Sequence, residues 1–571
     1  MKHFIKTFFI FAMLVIGLQS NTKVFAKNTN IRYSQEDISN YFSGIVSLNQ
    51  NYTTSGFKYL NQVKSLKNKH YNFNAQFIRS LVLLEKFDQA FAFSKSIWSE
   101  DELFFEADLL LGIESFIKKD HVSAKKYFKR LNNFSEYNLF LDDFLGNALI
   151  SWTEASKNNK EESFKFLGKI PLRYNSLINI QNAFLQCYFD TSKTEVAFEN
   201  IIGGEENGFS RYNFFLANYF LYKNEITAAE ILLKNSASLY DSNLLLKQSL
   251  DYIKTGKIKK IKDLYNCKSP TNATAEIFYV MANLYSTQKD YQLANFYLKI
   301  SLFLNNQFIT NKTLLAENFY YQKKYELSKN IYNSIKSIGS VYSWYASKSI
   351  ARILLDTEGR ERSISSFENE INLLTNPNFE TYYEIANFYK DNEYYKESIN
   401  YYSLALKNIK LDHHLIPKIL DRRGTSYERM GDWENAEKDL EESLRISPDQ
   451  AHVLNYLAYS WTEKEINIDQ ALVMLKKANE LKKNDGYIID SLGWAYYKGK
   501  NYIEAEKFLQ QAVEIMPLDP IINDHYADTL WMLKKDIQAR YVWQHVLSLE
   551  NVEQELKDNI KAKLIFGIKK L

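Results

Sequence analysis

Breakers of regular structure are scarce in this chain. It has 7 prolines and 18 glycines in 571 residues, far below the usual shares of about 5% and 7%. That scarcity argues against a string of separate loop-rich globules and predicts an almost wholly helical protein. Hydrophobic residues make up 46% and charged residues 24%, so the chain can bury a core and is not of the disordered class. Asn, Lys, Ile and Tyr are abundant throughout, which reads as nucleotide bias. The 15% aromatic content therefore says little about function.

Chemical signatures are missing too. There is no GxxxxGK[ST] or GxGxxG loop, no HExxH, no CxxC and no GxSxG, so phosphate-binding, metalloprotease, redox and nucleophile-elbow fingerprints are all absent. No enzyme activity, cofactor or metal is expected. His413-His414 is the one adjacent His pair. Neighbours on a helix point about 100° apart and chelate poorly, so the pair reads as part of an exposed loop.

Long apolar runs are absent as well, except at the start. Lys2 and Lys6 precede an eleven-residue apolar run from Phe8 to Leu18, and Val24-Phe25-Ala26 follows a polar stretch. That is the layout of a secretory leader, with cleavage expected after Ala26. The run falls short of the roughly 20 residues that span a bilayer, and no later segment could cross one. The first cysteine is Cys187, so a lipid anchor at the cleavage site is not expected. The resulting expectation is an exported, periplasmic protein. The formal charge of +3 equals the contribution of Lys2, Lys6 and Lys23, since residues 1–26 contain no acid. The mature chain is neutral, and a nucleic-acid partner is not implied. The only cysteines, Cys187 and Cys267, are 80 residues apart. A bridge needs Cα atoms within about 7 Å; placed in different repeats, the pair reads as two buried thiols.

What is present is a period. Small residues recur in pairs: Gly424 with Ala436, Ala458 with Ala471, Gly493 with Ala505, Ala527 with Ala539. Their first members are spaced 34, 35 and 34 residues apart. In each unit a first helix carries apolar residues at positions 4, 7, 8 and 11, one face at about 100° per residue. A second helix carries the small residue at position 20. Gly inside a helix costs about 1 kcal/mol relative to Ala, and close packing of the two helices offsets that cost. Gly493 is thus a packing residue.

This pattern resembles the tetratricopeptide repeat family, whose 34-residue helix-turn-helix unit has a small residue at position 8, Ala at 20 and Pro at 32. The resemblance is strong over 275–550, with repeats near 275, 309, 344, 379, 417, 451, 486 and 520. It is weaker over 27–274, where 135–209 and 240–274 lose the strict period and IGGEENG (202–208) and KSPTNAT (268–274) look like interruptions. Residues 551–571 read as a C-terminal capping helix. The expected fold is an all-α, right-handed superhelical solenoid of about ten to twelve stacked repeats. The stretches RRGTSYERMGDWENAEKDL, VLNYLAYSW, GYIIDSLGWAYY and INDHYADTLW resemble exported tetratricopeptide proteins of alphaproteobacteria, mostly of unassigned function. The plan is also similar to that of periplasmic adaptors that present substrates to C-terminal processing proteases; this chain lacks their usual lipid-bearing Cys.

The resemblance implies that first helices line a concave groove. Their positions 2, 5, 9 and 12 there include Asp421, then His452, Asn455 and Tyr459, then Tyr487, Asp490, Trp494 and Tyr497, then Asp524, Asp528 and Trp531. As a partner-binding groove, the aromatics would supply contact area and the acids would meet Lys, Arg or backbone amides of a peptide. As an active site, Asp490, Asp524 and Asp528 would do acid–base work on a glycan. As structure, they would tie neighbouring repeats together. Some cytosolic relatives clamp a terminal carboxylate with Lys at position 5. Here that position holds Tyr383, Asp421, Asn455, Asp490 and Asp524, so a basic or neutral partner fits better. The expectation is a scaffold for one or more protein or peptide partners, serving envelope machinery such as a processing protease or peptidoglycan hydrolase. A glycan-binding or glycan-active protein and a purely architectural solenoid are the alternatives.

Overall fold

The computed structural model describes residues 33–67, 70–134, 143–203, 210–239, 243–374, 377–550 and 552–568. The expected leader, 1–26, lies outside the described residues. Among those described there are 31 α-helices and no strand. Thirty of the helices pair as fifteen hairpins, from Gln35–Asn49 with Thr53–Gln62 to Pro520–Met532 with Asp536–Ser548, and Gln554–Phe566 follows alone. The chain is an all-α helical-repeat solenoid.

Fifteen hairpins exceed the expected ten to twelve, because stretches without the strict period still fold as helix pairs. Between 143 and 203 these are Leu145–Ser156 with Lys160–Leu167 and Asn175–Tyr188 with Thr194–Ile202. The boundary expected at 274/275 falls inside the helix Pro270–Thr287. Ser269 caps that helix by accepting from the Asn272 N–H, and Pro270 opens its first turn, where a missing N–H costs nothing. The motif KSPTNAT is a helix start, not a domain break. The compact division comes later: one unit runs to Thr357 and the other from Glu358.

The hairpin turns explain how so few glycines suffice. Two residues past the first helix of a pair, the backbone turns left-handed at Glu85 (φ 60°), Lys119 (60°), Lys289 (65°), Lys500 (61°) and Lys534 (65°), and only occasionally at a glycine such as Gly431 (80°). The following residue often caps the second helix. Asp120, Asp290, Asp432 and Asn501 each accept from the N–H three residues on, satisfying an otherwise orphaned donor.

In the first unit the array closes on itself. Tyr291–Leu304 packs on Tyr71–Leu83, and Pro270–Thr287 on Leu145–Ser156. Across this seam the rings of Phe87 and Phe303 stack at 4.0 Å, and Lys299 pairs with Glu85. One continuous core runs from Leu48 to Leu354. Helices inside it are buried nearly all round; YNFFLANYFLY (Tyr212–Tyr222) buries nine of its eleven residues, Asn213 and Asn218 among them, as a helix without a continuous polar face must. Charges in this interior are paired. Arg211 donates to both Glu276 oxygens (2.8 and 2.6 Å) and lies 3.7 Å from the Tyr279 ring centroid.

Closure also corrects the reading of the cysteines. Cys187 and Cys267 form a disulfide, with Cα atoms 5.8 Å apart. The separation expected for different repeats assumed an even superhelix. Instead the short helix Ile258–Leu264 folds back on Tyr212–Tyr222, where Asn218 Nδ2 donates to the Ile261 carbonyl at 3.1 Å. The connection after it then crosses the end of Asn175–Tyr188, with Tyr265 against Phe184 (5.6 Å) and Lys268 Nζ donating to the Tyr188 carbonyl (2.7 Å).

Two outcomes are expected. Cys267→Ser should lower the stability of the first unit by about 2–4 kcal/mol, the range for closing a long loop, measured by urea unfolding with and without reductant. Lys534→Gly, exposed and left-handed, should raise stability by roughly 0.5–1 kcal/mol by relieving its Cβ, visible as a higher Tm.

Candidate partner-binding face

The second unit is built differently. Its helices pack on adjacent and next-but-one helices, and its apolar side chains gather in several small clusters. The first helices of successive hairpins touch and form an inner layer: Tyr456 of Ala451–Glu463 donates to Glu428 of Ile416–Arg429 at 2.8 Å.

Small residues set the spacing between the two layers. Gly424, Ala436, Ala458, Ala471, Gly493, Ala505, Ala527 and Ala539 are all buried. A Cβ placed on Gly493 would lie 2.6 Å from Leu509 Cγ and 3.1 Å from the Leu509 backbone nitrogen. Only a residue without a side chain fits there.

The inner-layer residues fall into two groups. At the C-terminal end they answer one another. Asp490 accepts from, or shares a proton with, His525 Nδ1 at 3.0 Å. Trp494 is 8% exposed, donates to Glu463, and stacks on His525 (3.9 Å) and Tyr497 (4.5 Å). Asp524 and Asp528 both accept from Lys563 of Gln554–Phe566, at 2.9 and 2.8 Å. Asp528 also accepts from Trp543 Nε1 at 3.0 Å, and half-buried Trp531 packs on Trp543 (5.5 Å). Asp490, Trp494, Asp524, Asp528 and Trp531 are thus engaged within the chain, as the structural reading of these residues expects. The capping helix supplies the cation that the two aspartates demand, and no charge pattern within a repeat announced Lys563.

Further in, the same positions are unanswered. Asp421 Oδ1 and Asn455 Oδ1 are buried and accept no hydrogen bond among the described residues. They occupy position 5 of successive repeats, where Asp490 and Asp524 have partners. Burial pushes the Asp421 carboxyl up, against the pull of His452, Arg422, Lys390 and Lys418. Around them His452 and Tyr487 are exposed, while Tyr459 and Tyr497 are half-buried. An unpaired buried acceptor costs about 1–3 kcal/mol, and a donor from outside would recover it. Among the described residues no group of His, Cys, Asp and Glu could hold a metal, and no helix is long and apolar enough to cross a membrane.

The capped end carries a pH dependence. Burial, then the Asp524 charge, raises the Asp528 carboxyl from 3.8 to about 6 against the pull of Lys563. Burial lowers the His525 imidazole, but Asp490, Asp524 and Asp528 together outweigh it and leave it above 6.5. Both groups hold protons in the folded state that the unfolded chain releases. Their contribution is complete at low pH, falls for Asp528 between 3.8 and about 6, and falls for His525 above 6.5. Hydrogen-exchange protection of 520–566 should therefore be greater near about pH 5 than near about pH 7.5. Asp528→Asn should flatten the dependence; protection that rises with pH would refute the assignment.

Models of the tetratricopeptide repeat match residues 379–409, 417–450 and 487–516. A TPR repeat-containing protein of Pseudomonas aeruginosa is 32% identical over 99 residues, a match spanning 17% of this chain and 17% of that one. Solved structures with a similar helical array include a tetratricopeptide repeat protein from Parabacteroides merdae (19% identity, 39% of this chain and 87% of that one, TM-score 0.34). Another is the C-terminal part of a TPR repeat-containing protein from Cytophaga hutchinsonii (14% identity, 45% and 98%, TM-score 0.32). The period, the paired small residues and the family models over 379–409, 417–450 and 487–516 together identify tetratricopeptide repeats within this chain.

Proposed function

We propose that the inner face formed by the first helices from Phe379, Ile416, Ala451 and Gly486 holds an extended segment of a partner protein, and that the protein is an exported adaptor for envelope machinery such as a processing protease or a peptidoglycan hydrolase. Tetratricopeptide repeats support a protein-interaction scaffold in general. The particular face rests on one observation: the buried, unanswered oxygens of Asp421 and Asn455, in an inner layer whose later equivalents are answered by His525 and Lys563. Donors on the partner, a lysine or backbone amides, would complete the row. His452 and Tyr487 offer exposed contact area beside it.

Export draws support from two sides. The leader-like pattern of 1–26 is one. The Cys187–Cys267 disulfide is the other, since such bonds persist in oxidising compartments. Catalysis has no comparable support: Asp490, Asp524 and Asp528 are tied to His525 and Lys563.

The test is affinity capture from periplasmic extract with residues 27–571, beside Asp421→Ala/Tyr487→Ala, followed by binding assays on the segment recovered. A partner whose affinity drops at least about tenfold in the variant (about 1.4 kcal/mol) supports the face. A partner bound equally by both proteins removes the site but keeps the scaffold. Capture of material only from cytosolic extract would count against export.

A further inference from the structure

The seam that closes the first unit carries a pocket of about 480 Å³ that is open to solvent on one side, within the range of small-molecule sites. Its wall comes from three places far apart in sequence: the first hairpin's turn at Asn51–Ser55, Leu83 and Leu84, and the helices Tyr291–Leu304, Ile309–Tyr321 and Tyr325–Ile335. No repeat carries the site alone, so it exists only because the array closes.

The polar part of the wall is ordered from behind. Ser286 Oγ donates to Asn318 Oδ1 (2.6 Å), Asn318 Nδ2 to Asn295 Oδ1 (2.9 Å), Asn295 Nδ2 to Gln322 Oε1 (3.3 Å), and Gln322 Nε2 to Asn51 Oδ1 (3.1 Å). The relay uses the Asn51 oxygen and leaves its two amide hydrogens for the cavity. Beyond it, the side chains of Gln292, Asn330, Thr53 and Ser55 line the wall and make no hydrogen bond among the described residues. Each can donate and accept, or do one of the two with two partners. Such a set matches sugar hydroxyls, which also do both.

The charge is one-sided. No Asp or Glu lines the cavity, while Lys299 and Lys324 do. Lys299 is answered by Glu85. Lys324 has no acidic partner among the described residues, and its Nζ stands 3.4 Å from the centroid of the Tyr52 ring. Leu83, Phe319, Leu327 and Ile331 also line the pocket and supply apolar surface suited to the C–H face of a pyranose. From this combination we propose that the cavity binds an acidic saccharide of about disaccharide size, its carboxylate at Lys324 and its hydroxyls among Asn51, Gln292, Asn330 and the Thr53–Ser55 turn. The site is separate from the peptide face of the second unit and does not depend on it.

Calorimetry on the full chain tests this with three probes: hyaluronan disaccharide (glucuronate joined to N-acetylglucosamine), neutral chitobiose, and inorganic phosphate. The acidic disaccharide is expected to bind saturably and at least about tenfold more tightly than chitobiose, with phosphate failing to compete. Lys324→Ala should weaken it about tenfold. Asn330→Trp, which fills the space, should abolish binding, and the milder Ser55→Ala should weaken it if the larger change fails to fold. Asp421→Ala should leave it unchanged, which separates this site from the peptide face. Equal binding of the two disaccharides, displacement by phosphate, binding that survives Asn330→Trp in a folded variant, or no binding of either sugar would overturn the proposal.

Discussion

Two helices can cross at short range only where one of them gives up its side chain. Gly493 against Leu509 is the clearest case, with 2.6 Å left for a Cβ. The first hairpin does it reciprocally: a Cβ on Gly44 would meet Leu60 at 2.6 Å, and one on Gly56 would meet Leu48 at the same distance. Alanines at 0% exposure, such as Ala436, Ala471, Ala505 and Ala539, hold the same spacing in other units. With a small residue at the same place in each unit, hairpins stack in register. The direction in which inner-layer side chains point is inherited from that register.

From the same unit come two different interiors. Where first helices are buried nearly all round, as in Tyr212–Tyr222, the array curls until its later hairpins cover the earlier ones. Where first helices carry Asp, Asn, His and Tyr on the inside, as from Ile416 to Met532, apolar contact stays between neighbours. The inner face then has to satisfy its polar groups another way. Asp490 uses His525, and Asp524 and Asp528 use Lys563, while Asp421 and Asn455 are left with unanswered acceptors.

The local half of this architecture is legible in the sequence. The small-residue pairs sit at the crossings of the hairpins that begin at Ile416, Ala451, Gly486 and Pro520. What is not legible depends on contacts between residues far apart. The Cys187–Cys267 bridge requires the fold-back of Ile258–Leu264, and nothing periodic encodes a departure from the period. Lys563 lies in a helix outside the repeats, so its claim on Asp524 and Asp528 is invisible to any rule that reads one repeat at a time. Position 5 was legible as a row of acids and amides. Which of them the chain keeps for itself was not.

The contrast between one continuous core and several small ones bears on how the chain acquires its structure. In the second unit each cluster joins near neighbours, so order can nucleate in any hairpin and spread along the chain, with stability close to a sum of local terms. The first unit cannot complete its core until Tyr291–Leu304 exists to cover Tyr71–Leu83, some two hundred residues after the chain has begun to fold. Contacts of such sequence separation form slowly. While the chain is being synthesised, the early hairpins wait with apolar flanks such as Phe87 and Phe91 uncovered, and this interval is when the protein has most need of a chaperone.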